Sequence, residues 1–155
     1  MERPVEYSYT EQTQILMPSH ISGSSRLFGG RLMEWMDVVA AVVGRRHSGR
    51  DVTTVCVDTL EFNAPAHVND TVIIRGRITY VGRTSMEVRV ETYTENREGM
   101  RRRINRAYFV LVALDDDENP TEVPRLTLIS EEDKLEWQNA EKRSALRKQR
   151  RKEHY

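Results

Sequence analysis

Residues 27–43 read L-F-G-G-R-L-M-E-W-M-D-V-V-A-A-V-V, and the fold follows from this stretch. Gly29 and Gly30 open a run that is apolar on nearly every side of a helix, with Leu32, Met33, Trp35 and Met36 followed by an unbroken apolar 38–43. A helix apolar all round belongs in a core. One carboxylate, Asp37, sits in its middle, and Asp is seldom buried without a partner or a purpose. The pattern predicts a helix starting at the glycine pair, with Gly44 as a stop and His47-Ser48-Gly49 completing the turn.

Before this helix, residues 6–16 mix strand formers (Tyr7, Tyr9, Thr10, Thr13, Ile15) with polar residues and predict a first strand, ended by Met17-Pro18. Residues 19–26, S-H-I-S-G-S-S-R, are loop by composition. After the helix come four strand-like runs with no second helix between them. In 52–62 the apolar phase flips between Val57 and Leu60, as a bulge would make it do. Residues 71–81 alternate through Val72, Ile74, Gly76 and Ile78, and Gly82-Arg83 turns the chain tightly into 85–94. In that run Met86, Val88 and Val90 alternate with Glu87, Arg89 and Glu91. The last run, 104–114, is almost continuously apolar from Ala107 onward, the sign of a strand covered on both faces. Strand, helix and four antiparallel strands make an α+β architecture, a five-stranded sheet wrapped around one long central helix. Its edge strands and outer face are the natural places for a second subunit.

Residues 127–155 read as a separate, charged helical tail. Ser130 followed by Glu131, Glu132 and Asp133 is a good helix start, and the cations Arg147, Lys148, Arg150, Arg151 and Lys152 lie at the opposite end. Apolar residues are sparse, so the helix is expected to be exposed. Its basic end lacks interleaved aromatics, which disfavours nucleic acid as a partner and favours a solvated helix end.

At 155 residues the chain can bury one substantial core. Its 24 Lys and Arg balance 24 Asp and Glu, so net charge gives no argument for nucleic acid or membrane. Cys56 is the only cysteine, which removes an intramolecular disulfide and a Cys-based zinc site and suits a reducing interior. No metal is expected, because His47 and His67 lack ligand spacing with other His, Asp or Glu residues. The N-terminus has no apolar signal core, and no apolar run is long enough to span a bilayer. A soluble cytoplasmic protein, with no membrane partner, is the expectation.

Four blocks in register carry a resemblance: F-G-G-R-L-M-E-W-M-D, V-T-T-V-C-V-D-T-L-E-F-N-A-P, V-G-R-T-S-M and A-Y-F-V-L-V-A-L-D. From about residue 7 to residue 126 they resemble the hotdog-fold acyl-CoA thioesterases, the acyl-CoA hydrolase family. The resemblance implies a hotdog domain over 7–126 with 127–155 as the tail, and hydrolysis of acyl-CoA to a fatty acid and CoA. It implies no cofactor, CoA being part of the substrate. It also implies a homo-oligomer, a dimer at least and a hexamer built as a trimer of dimers, with the active site at the dimer interface.

Residue by residue, the family's helix acid falls on Asp37, as general base or nucleophile. Its oxyanion donor falls on the Gly29 N–H, at a helix start where unpaired N–H groups and the positive dipole end suit a developing anion. Glycine also allows close approach of a substrate. Ser22 stands where the family has Asn, in the position that orients water from the partner subunit, and Thr54 supplies a hydroxyl near the acid. Gly30 and the hairpin Gly82, Arg83, Thr84 and Ser85 border the CoA. Plainer roles stand beside these: Asp37 as a structural clamp, the glycine pair as a tight turn, Arg83 as a solvated turn residue. The alternative at the level of function is a hotdog module that binds acyl-CoA or a fatty acid without hydrolysing it, and Ser22 keeps that alternative open.

Overall fold

The alternating runs and the apolar helix pair off as period and turn chemistry require. The computed structural model describes residues 1–21, 23 and 25–155. In chain order the elements are β1 (Glu2–Pro4), α1 (Val5–Ser8), β2 (Thr10–Ile15), a 3-10 turn (Pro18–His20), α2 (Gly29–Ser48), β3 (Asp51–Phe62), β4 (Thr71–Val81), β5 (Ser85–Glu95), β6 (Arg101–Leu114), β7 (Arg125–Thr127) and α3 (Glu131–Glu153). Five strands form one antiparallel sheet in the order β2-β4-β5-β6-β3. One face packs on α2, where Met36, Val39, Ala40 and Val43 meet Ile74, Ile78, Val88, Phe109 and Leu111 in the buried core. This is the five-stranded sheet around one central helix expected from the order of the runs, and the hotdog fold that the resemblance implies. Gly76 sets how closely helix and sheet approach: a Cβ there would stand 2.8 Å from Val39 Cγ1 and 2.9 Å from Val43 Cγ2. No described helix is long and apolar enough to cross a membrane.

Two local expectations need correction. The strand expected over 6–16 is β2 and begins only at Thr10, because Val5 and Ser8 are buried by a helical turn that packs on α2 and β4. The central helix does not stop at Gly44. That glycine is buried inside α2, where a Cβ would be 3.3 Å from Val52 Cγ1, and the helix ends at Gly49 with φ 67°. The expected bulge is present, since the β3–β6 register shifts between Asp58 and Glu61 and Thr59 has φ 56°. A second shift, between Thr54 and Cys56, is not among the expectations.

The end of α2 is held by distant residues. β1 pairs in parallel with β7, and Arg3 Nη1 donates to the Arg46 and His47 carbonyls at 2.8 and 2.9 Å, capping the last turn. His47 is fully buried; its Nε2 donates to the Pro124 carbonyl at 2.9 Å, and Nδ1 has no partner among the described residues. Burial pushes its pKa below the ordinary imidazole value, reinforced by Arg3 and Arg125 and opposed by the Pro124 bond. The unfolded chain, titrating near about 6.5, therefore binds a proton that the folded chain rejects. Stability from denaturant unfolding should fall as pH drops below that value, and a His47→Gln variant should lose that part of the slope.

The largest correction concerns α3. Its start is as expected, with the Asp133 N–H donating to Ser130 Oγ at 3.0 Å and the Asp133 carboxylate accepting from the Ile129 and Ser130 N–H groups. The helix is not a solvated tail. It packs on the sheet's outer face through Asp133, Trp137, Ala140, Arg143 and Arg147, a stripe at three- and four-residue spacing. Trp137 meets Tyr80 with ring centroids 4.4 Å apart, Ala140 is fully buried, and the Arg143 guanidinium lies 3.6 Å over the Tyr108 ring. Arg143 and Arg147 both bond Glu87, and Arg147 also bonds Asp58. At the other end Arg77 reaches Glu132 and Asp133, while Arg89 reaches Glu136 at 2.6 Å. The chain's own helix thus occupies the outer face that was expected to receive a second subunit.

Candidate active site

Phe28, in extended conformation, delivers the chain into α2 with no side-chain cap. Its carbonyl accepts from the Arg31 and Leu32 N–H groups, leaving the Gly29 and Gly30 N–H groups without partners among the described residues. The Phe62 ring lies over Gly29, where a Cβ would be 3.4 Å from its Cζ. Beside it opens a cavity of about 250 Å³ lined by Arg26, Leu27, Phe62, Ala64 and Ile104. His20 stands at the same end: its carbonyl accepts from the Phe28 N–H, its Nδ1 accepts from the Met17 N–H at 3.0 Å, and its ring meets Trp35 edge-on.

Asp37 is half-buried on the side of α2 that the sheet leaves open, beside exposed Met33 and a Val38 that is 52% exposed. Thr54 Oγ1 donates to Asp37 Oδ1 at 2.6 Å, joining the edge strand to the helix acid. A helix read as apolar all round is therefore buried on one side only, and its open side carries the acid among apolar neighbours.

The structure brings Asp37 and Thr54 together and holds Gly29 apart from them. Gly29 is eight residues before Asp37 on the same helix, roughly 12 Å at 1.5 Å per residue. One thioester cannot touch both within a single chain. The hairpin 82–85 lies at the end of the sheet away from Gly29 but level with Thr54, whose β6 partner Leu111 is next to Val112, the partner of Ser85. Ser85 pairs with Val112 and Phe62 with Asn105, seven residues apart along β6, or roughly 23 Å. Its Gly82 N–H donates to the Ser85 carbonyl at 2.9 Å, and the Arg83 and Thr84 carbonyls accept from Val123 and Ala113. Arg83 is exposed beside a cleft of about 450 Å³ that Arg125 and Trp137 also line. Ser22 lies outside the described residues.

Arg101 and Arg103 pair with Glu95 and Glu91, and Arg143 and Arg147 turn inward onto the sheet. Sequence reasoning missed the buried acids Glu87 and Asp58. Their one signal was the three- and four-residue recurrence of Trp137, Ala140, Arg143 and Arg147, hidden because that stripe is charged rather than apolar.

The sequence model of the thioesterase superfamily matches residues 25–100. An uncharacterized acyl-CoA thioester hydrolase of Zymomonas mobilis is 37% identical over 71% of this chain and 74% of its own length. The chain belongs to the acyl-CoA thioester hydrolases. Family members differ in length: this chain spans only about a quarter (25%) of the mouse acyl-coenzyme A thioesterase 11 it matches at 29% identity. A solved apo-hexameric acyl-CoA thioesterase superposes with a TM-score of 0.92 at 33% identity, covering 96% of both chains. The acyl-CoA hydrolase of Staphylococcus aureus, solved with butyryl coenzyme A and coenzyme A, gives a TM-score of 0.93 at 27% identity, over 99% of this chain and 94% of that one. Three further solved forms of that hydrolase carry single alanine replacements of an Asn, an Asp and a Thr. The Asp follows the Asn by 15 residues and precedes the Thr by 17.

Proposed function

We propose that this hydrolase-family chain cleaves acyl-CoA thioesters with water, releasing a carboxylic acid and CoA, and that Asp37 is the catalytic carboxylate. The observation that carries the proposal is the 2.6 Å bond from Thr54 to an acid standing on the open, apolar side of α2. The spacing agrees: Asp37 follows Ser22 by 15 residues and precedes Thr54 by 17, the separations of the three residues replaced in the Staphylococcus aureus hydrolase. Asp37 either takes the proton of an attacking water or attacks the carbonyl carbon itself; the thioester is activated enough that a positioned carboxylate suffices.

The oxyanion donor is the Gly29 N–H of a second copy, since the same chain's Gly29 is too far along the helix. A preorganised donor of this kind is worth about 3 kcal/mol. Solved hexameric thioesterases are consistent with such an assembly. Ser22 would orient the water in place of the family's Asn, while Gly30 and the hairpin Gly82, Arg83, Thr84 and Ser85 would face the CoA moiety. The Arg83 guanidinium is the group there suited to a phosphate. The cytosolic hydrolases among the relatives favour a cytoplasmic setting.

The test is CoA-thiol release, followed with a thiol-trapping dye, over a series of acyl-CoA chain lengths and protein concentrations. Turnover that rises with assembly supports both the reaction and the shared site. Binding of CoA esters without thiol release at any chain length would convert the protein into a binding module.

A further inference from the structure

Thr54 sits on an edge strand of the sheet whose ladder is broken on its C-terminal side. β3 is an edge strand, hydrogen-bonded to β6 alone, and that ladder is interrupted immediately after Thr54 and again after Asp58. Only Cys56, Val57 and Asp58 pair between the two shifts. Backbone pairing by itself therefore holds this part of β3 weakly, yet the Thr54 hydroxyl must stay within hydrogen-bonding distance of Asp37 on the helix side.

The outer face supplies a second attachment. Asp58 is only 5% exposed, and its Oδ2 accepts from Arg147 Nη1 at 3.1 Å; Arg150 stands at 3.7 Å and Thr59 donates to Oδ1 at 3.1 Å. The same Nη1 donates to Glu87 Oε2, also at 3.1 Å. Glu87 is 1% exposed on β5, takes Thr79 Oγ1 from β4 at 2.7 Å, and holds Arg143. Between the two acids runs β6, with Val110 paired to Glu87 and Tyr108 paired to Asp58. One guanidinium nitrogen thus spans a strand and ties the sheet edge to its interior through charge-assisted bonds.

We infer that Arg147, through Asp58, is a positioning residue that holds β3 where Thr54 reaches Asp37, so that α3 supports the site from the opposite face of the sheet. The inference rests on Asp37 and Thr54 being the working pair. A displacement of about 1 Å is enough to break a 2.6 Å bond and to cost catalysis heavily.

The experiment is a double-mutant cycle on the intact, assembled protein, with kcat and KM read by thiol release. Arg147→Met should lower kcat about tenfold with KM within about twofold, and should lower it no further in a Thr54→Val background, where the bond it protects is already absent. Arg147→Lys should restore most of kcat, because both contacts come from one nitrogen that an ammonium can replace. Asp58→Ala, which leaves Arg143 and Arg147 on Glu87, should reproduce the loss and decides the matter if Arg147→Met does not fold. Unchanged kcat in these variants, or an equal loss with and without Thr54, would overturn the inference and leave a structural ion pair. Wild-type kcat in Thr54→Val alone would remove the Thr54–Asp37 pairing as a working unit, and this inference with it.

Discussion

Asp37→Ala should lose CoA-thiol release by about 10³-fold, the scale of a positioned acid–base group, with little change in fold or assembly. Asp37 stands on the open side of α2, half-buried, and the bond it makes is to the Thr54 hydroxyl, a group that water can satisfy once the carboxylate is gone. Its removal opens no core cavity, because the buried side of α2 is built from Met36, Val39, Ala40 and Val43. Steady-state turnover measured beside circular dichroism and sedimentation separates chemistry from folding. Turnover surviving in a folded, assembled variant would leave family and fold standing and remove Asp37 as the catalytic residue.

The second large effect is on stability. Glu87 accepts from Thr79, Arg143 and Arg147, and its replacement by Ala leaves two guanidinium groups that are 18% and 9% exposed short of their shared acid. Breaking a buried pair on one side costs about 3 kcal/mol. For a chain of this size that corresponds to a fall in Tm of roughly 10 °C. Amide exchange in α3 should accelerate more than in α2, because α3 is the element these bonds hold to the sheet. An unchanged Tm would show that Trp137 on Tyr80 and the buried Ala140 suffice to dock the helix.

Much of the fold is legible because its determinants are local. The glycine pair and the apolar run predict α2, and the alternation in 71–81 and 85–94 predicts β4 and β5 nearly to the residue. Where local signals misled, packing had overridden them. Gly44 reads as a stop but serves as a close-approach residue against Val52, and residues 6–8 read as strand but belong to the helical turn Val5–Ser8 that buries Val5. At the candidate site, Asp37 was conspicuous as a lone acid in an apolar helix. Thr54 was reached only through the family resemblance, because nothing in V-T-T-V-C-V itself marks one threonine as the partner of a carboxylate 17 residues earlier.

Period, turn chemistry and capping act within a few residues, so the five sheet strands, the two long helices, their order and the helix acid are all legible locally along the chain. Where the charges go depends on packing between elements. Glu87, Arg89 and Glu91 alternate along β5 as a solvated strand face would, and Arg143 and Arg147 space themselves as a solvated helix face would. Laid one on the other, residues 56 and 60 positions apart become a buried ion network that binds α3 to the sheet. Helix geometry holds Asp37 and Gly29 two turns apart, so in the proposed site the Gly29 N–H would come from a second copy of the chain.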